Sequence, residues 1–109
     1  GAGLAALWGS WARYVYKHCL HRFKRYAIEV MGVADSGTDE EIALAGIEAM
    51  EDFYRSIKMP TNLRELGVEA TDEDLALMAH KCAVGAGGGK GSARFLAEED
   101  MLEIYRMAR

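Results

Sequence analysis

The chain has 109 residues, half of them apolar and 28% charged, with a formal net charge of −4; this is the balance of one globular domain or part of one, and it excludes a disordered chain. No apolar run approaches the roughly 20 residues needed to span a bilayer, and no basic-then-apolar leader with a small-residue cleavage site is visible, so no membrane partner and a cytoplasmic location are expected. Residues 1–34 hold five Lys/Arg against one Glu, and the remainder eight against sixteen Asp/Glu, a split that points to attraction between the two parts rather than to a polyanionic ligand.

The chain opens GAGLAALWGSWARYVYKH. Leu4, Leu7, Trp8, Trp11, Tyr14 and Val15 follow helical spacing, and the small residues between them allow another backbone to come close. Gly9 and Ser10 weaken the middle, where a kink or break is expected. An apolar pattern that starts without a cap suggests a piece of something longer. In the next segment, CLHRFKRYAIEVMGV, Leu20, Phe23, Ala27 and Val30 form a stripe and Gly32 is a C-terminal stop. Lys17, His18, His21, Arg22, Lys24 and Arg25 crowd its first turns, with Tyr14, Tyr16 and Tyr26 among them. Such a cluster can grip phosphates. In an acidic chain with no nucleic-acid motif, a solvated face or a subunit contact is the better reading, and no nucleic-acid partner is expected.

After a polar turn over residues 34–37 comes the longest helical pattern, within residues 38–68, expected to be the packing spine of the domain. Thr38 with Glu41 three residues later is a capping-box start. Ala43, Ile47, Met50, Tyr54 and Ile57, widened by Gly46 and Phe53, form its apolar stripe. Glu48, Glu51, Asp52, Arg55 and Lys58 are placed on the opposite, solvated face, with Glu51 and Arg55 as a weak surface pair. Pro60 forbids smooth continuation. TNLRELGV then reads as a brief helical turn ending at Gly67. A further helix starts at Thr71, with Asp72, Glu73 and Asp74 in its first turn where the helix dipole favours them, and it buries Leu75, Met78 and Cys82.

Residues 85–94 form a glycine-rich loop with five glycines between Gly85 and Gly91. It is costly to order and is expected to be the most mobile internal segment. A last helix over residues 97–107 turns Met101, Ile104, Tyr105 and Ala108 inward. No β-alternation of useful length and no repeat is present, so the expected fold class is all-α, with five to six helices in a single unit over residues 1–109.

Chemistry-bearing residues are few. The glycines around Lys90 fall short of a phosphate-binding loop: with Gly89-Lys90 as its GK pair, the first glycine would have to stand where Val84 does, and Gly91 takes the place of the Ser or Thr. His18 and His21 stand three apart with Cys19 between them, and His80 and Cys82 lie elsewhere, but none is at a recognised zinc spacing. Neither cysteine has a histidine and an orienting partner as a nucleophile would need. Two cysteines in helical segments read as reduced, packed thiols. Periodicity and spacing by themselves point to no active site.

The order of the pieces carries more. Gly1 to Ala5, then Trp8, Trp11, Arg13, Tyr14 and Val15, then H-R-F-x-R-Y-A-x-x-V-x-G-V from His21, then A-x-x-G-I-E-A-M-E-x-F-Y-x-S-I-x-M-P-T-x-L-x-E-L-G-V from Ala43, then E-D-M-L-E-I-Y-R-M-A from Glu99 resembles the C-terminal helical part of iron-containing alcohol dehydrogenases, nearest to the butanol dehydrogenase group. The resemblance covers nearly the whole chain and is most specific over residues 56–68. It implies an enzyme that interconverts aldehydes and primary alcohols, with an N-terminal nucleotide-binding domain for NAD(P) and a divalent metal, usually iron, held by an Asp and three His. The last of those histidines would directly precede Gly1. The metal and nucleotide sites would then both lie outside this chain, leaving it with no catalytic, cofactor-binding or metal-ligating residue and inactive alone. His18, His21 and His80 match no family ligand, and residues 85–94 lack the Gly-Asn-Phe run common in the butanol group. The resemblance further implies a missing N-terminal nucleotide-binding domain as partner and a homo-oligomer, with a dimer expected. From a different class, the alternative is a stand-alone helical interaction module without catalysis.

Overall fold

The computed structural model describes residues 2–85, 89–90 and 96–109. Helix α1 (Ala2–Val15) passes through a 3-10 turn (Tyr16–Cys19) into α2 (Leu20–Glu29); α3 (Asp39–Ser56) and α4 (Asp72–Gly85) follow, then the two-residue strands β1 (Gly89–Lys90) and β2 (Leu96–Ala97), and finally α5 (Glu98–Ala108). The helical class holds, with five α-helices and one 3-10 turn among the described residues. The 3-10 turn, which ends at Cys19 outside helical geometry (φ −142°, ψ 53°), separates α1 from α2. The kink comes at residues 16–19 rather than at Gly9 and Ser10. The β1–β2 pair is an addition to an all-α expectation: Gly89 faces Ala97 and Lys90 faces Leu96, antiparallel. Strands this short carry no readable alternation. Of the glycine-rich loop, residues 86–88 and 91–94, and with them its expected mobility, lie outside the described residues.

Local signals decide the helix ends. At the start of α3, the Thr38 hydroxyl accepts from Glu41 N–H at 3.1 Å while the Glu41 carboxylate accepts from Thr38 N–H at 3.1 Å. Thr71 and Asp74 repeat the exchange at α4, at 3.0 and 3.1 Å. Both boxes satisfy N–H groups that the first helical turn leaves without partners. Helix α3 ends at Ser56, four residues before Pro60, because Lys58 adopts the left-handed conformation (φ 62°), Met59 N–H returns to Tyr54 C=O at 2.7 Å and Lys58 N–H to Arg55 C=O at 3.0 Å. This is a Schellman ending built on lysine. The helical turn expected after Pro60 forms and closes in the same way at Gly67 (φ 93°), with Val68 N–H on Leu63 C=O at 2.9 Å.

Helix α2 packs on α3, α4 packs on α5, and α1 touches both α3 and α5. The element joining the two pairs is therefore α1, not the longer α3. In the first pair the two helices come close at Gly46, where an added Cβ would collide with the Cβ and Cα of Ala27. The main core gathers Ala12, Val15, Phe23, Ala43, Ile47, Met101 and Ile104. A smaller cluster of Leu63, Leu75 and Ala108 seats the turn after Pro60 against the end of α5, and Leu63 N–H donates to Ala108 C=O at 2.7 Å.

Four side chains expected in apolar stripes are exposed: Leu4, Val30, Phe53 and Ile57. Glu51, expected on the solvated face, is only 7% exposed. The molecule measures 41 × 29 × 19 Å. Its thin dimension is about two helix diameters, so each helix has a layer to pack on at one side only.

Candidate functional site

Along one side of α1, Leu4, Leu7, Trp8 and Trp11 recur at spacings of three and four. Across from them α5 presents Met101, Ile104 and Tyr105, with Cys82 of α4 and Leu96 of β2 completing the lining of an open cleft of about 460 Å³. That volume is within the range of ligand pockets, and among the described residues no charged side chain contributes to the lining. The Tyr105 phenol is held above its ordinary value, first by burial and then by its contact and side-chain hydrogen bond with Cys82. Both cysteines are free thiols, Cys19 buried and Cys82 partly buried.

The two walls are tied together beyond the cleft. Tyr14 of α1 donates its hydroxyl proton to Asp100 Oδ1 at 2.5 Å, and the second oxygen of Asp100 accepts from Ala97 N–H at 2.9 Å, capping α5. One carboxylate thus fixes both the start of α5 and its distance from α1. Behind the cleft, the Trp8 ring packs on Tyr26 (centroids 6.1 Å apart) and Tyr54 (6.3 Å), and Trp11 on Phe23 (6.1 Å). Burial, with a smaller contribution from Tyr54, pushes the Tyr26 phenol up. A turn further along α1, Arg13 pairs with Glu51 of α3. This is possible because Gly9 has no side chain: a Cβ there would run into the Glu51 carboxylate.

The metal-capable residues weighed in the sequence are not brought together. His18 sits in the 3-10 turn and His21 on the first turn of α2, both exposed. His80 lies on α4, where Nδ1 meets Glu98 Oε1 at 2.9 Å. Among the described residues, no group of three or more His, Cys, Asp or Glu side chains is arranged to hold a metal ion. These residues do not fit the iron of the resembled family, and no catalytic step is routed through them. The basic cluster of α2 turns partly inward to acidic partners, with Lys24 meeting Asp39 at 2.9 Å and Asp35 at 3.9 Å. Lys90 is placed by its backbone in β1. No helix among the described residues is long and apolar enough to cross a membrane.

Half of the cleft was legible in advance as the α1 stripe. Its other wall joins residues from three elements 71 and more positions downstream, which no single periodicity announces. The Arg13–Glu51 and Tyr14–Asp100 pairs were missed for the same reason.

Residues 1–109 match the C-terminal model of the Fe-containing alcohol dehydrogenase family. The chain is 36% identical over 107 residues to NADH-dependent butanol dehydrogenase A of Clostridium acetobutylicum, covering 97% of this chain and 27% of that protein. With the probable NADH-dependent butanol dehydrogenase 1 of Bacillus subtilis it shares 36% over 105 residues, 95% of this chain and 26% of that protein. The crystal structure of NADH-dependent butanol dehydrogenase A from Thermotoga maritima superimposes with a TM-score of 0.83 at 30% identity, over 99% of this chain and 28% of that one. The chain therefore spans about a quarter of the length of these relatives. These matches run along essentially the whole chain, and it belongs to the Fe-containing alcohol dehydrogenase family, corresponding to the family's C-terminal region.

Proposed function

We propose that this chain is the C-terminal portion of an iron-dependent, NAD(P)-linked alcohol dehydrogenase that interconverts aldehydes and primary alcohols, and that it supplies helical framework rather than reacting groups. The observation that carries this reading is the match to relatives of that activity along essentially the whole chain, at about a quarter of their length. Hydride transfer needs a nicotinamide site and Lewis-acid activation needs several preorganised ligands. The described residues offer neither a ligand cluster nor a charged, convergent cleft. What they offer is a packed scaffold in which α1 joins the two helix pairs. The metal and nucleotide sites belong, on this reading, to the part of the enzyme that precedes residue 1.

The test adds ferrous or zinc ion, NADH or NADPH and butanal to the purified chain, and to the longer enzyme that contains it. The longer enzyme is expected to oxidise the reduced cofactor, while the 109-residue chain binds no metal tightly and gives no turnover. One tightly held metal per 109-residue chain, or turnover that His18→Ala abolishes, would overturn the assignment.

A further inference from the structure

We infer that the apolar cleft beside α1 is the seat of the segment that immediately precedes residue 1 in the longer enzyme. This rests on the functional reading above. In a structure about two helices thick, α1 buries one side against α3 and α5 and leaves Leu4 68% exposed, with Leu7, Trp8 and Trp11 only partly covered. Large apolar side chains lined up along an open cleft are a surface made to be covered. Three quarters of the relatives' length lies outside the matched region, so covering chain is at hand. Consecutive elements in a domain are usually joined by short connections and packed side by side. The element before α1 is then its natural neighbour, and Leu4, on the first turn of α1, is where that neighbour arrives.

The lining itself favours a protein segment over a small ligand. Ligand pockets orient their guests with a few convergent polar groups. Here no charged side chain among the described residues reaches the lining. Apolar side chains of a covering segment need no such handle.

Cys82 in the cleft and Cys19 in the core make the test self-controlled. Labelling with N-ethylmaleimide, read residue by residue by peptide mass spectrometry, is compared between the 109-residue chain and the longer enzyme. Cys19 should stay protected in both, which reports that each is folded. Cys82 should react at least about tenfold more slowly in the longer enzyme, at a rate independent of protein concentration. Leu4→Glu should lower the melting temperature of the longer enzyme and leave that of the 109-residue chain unchanged. Equal Cys82 reactivity in the two proteins would overturn the inference. So would protection that grows with protein concentration, which marks a second copy as the occupant, or protection that appears only on adding 1-butanol, which marks a ligand pocket. Cofactor oxidation measured on the same preparation separates the two readings: protection without turnover sinks the functional assignment alone, and turnover without protection sinks the docking assignment alone.

Discussion

Arg13 and Glu51, 38 residues apart in sequence, meet side by side, Nη1 donating to Oε2 at 2.9 Å and Nη2 to Oε1 at 2.5 Å. This fork-to-fork pair ties α1 to α3 at the point where Gly9 leaves room for the carboxylate. The hydrogen bond to Glu51 raises the guanidinium above its already high ordinary value, against an opposing effect of burial. The two sides differ in exposure, 38% for the Arg13 side chain and 10% for that of Glu51. Arg13→Ala strands a buried carboxylate and should cost about 1–3 kcal/mol, less than a fully buried pair because water reaches the arginine side. Glu51→Gln should cost less, since the freed guanidinium can turn to solvent. Urea unfolding of the two single variants and the double variant checks this, and a sum of single effects equal to the double would show that the pair is not coupled.

At Gly46, α3 lies against Ala27 of α2 with no room for a side chain. Gly46→Ala pushes a methyl into the Cβ and backbone Cα of Ala27, and should destabilise by about 1–3 kcal/mol despite alanine's better helix propensity. Gly3→Ala adds the same carbon where nothing lies within 4 Å. It should leave stability unchanged or raise it. Thermal melts of the two variants should therefore move in opposite directions or differ by several degrees.

Lys58 holds the left-handed position that ends α3, at φ 62°. A side chain there costs roughly 1–2 kcal/mol, and glycine removes that cost. Lys58→Gly should raise stability by roughly 0.5–1 kcal/mol after allowing for glycine's extra freedom when unfolded. Lys58→Val should lower it. Denaturant midpoints of the two variants, read against the parent, give the check.

The capping carboxylates set an acid limit to stability. Backbone N–H and hydroxyl donation from Thr38 lowers the Glu41 carboxyl below its ordinary 4.5, Thr61 does the same for Glu65, and Thr71 lowers Asp74 below its ordinary 3.8. A carboxyl lowered on folding binds its proton more weakly in the native state than in the unfolded one. The stability it contributes is complete above the ordinary value and is lost as pH falls through the lowered native value. Thr38→Ala and Thr71→Ala should lower the melting temperature at neutral pH and flatten its fall below about pH 4.5. A variant whose acid limb runs parallel to the parent's would show that the box carries none of that dependence.

Much of this fold could be read one turn at a time. Thr38 with Glu41, Thr71 with Asp74 and the stop at Gly67 each depend on partners within five residues, and a chain carries such information wherever it folds. The inward faces of α4 and α5 were legible for a similar reason, since Leu75, Met101, Ile104 and Ala108 obey helical spacing and are buried. The family, too, lay in the order of residues along the chain. Only the tertiary structure decided that Glu51 faces Arg13 rather than Arg55, that Val30, Phe53 and Ile57 stay exposed at the edges of their stripes, and that α1 is the element shared by both helix pairs. Periodicity says which side of a helix is apolar, but it does not say how far along that side a neighbour extends. Helix crossings end where the partner ends, and beyond that point an apolar residue such as Phe53 meets water while an acidic one such as Glu51, given a glycine opposite and an arginine in reach, is buried.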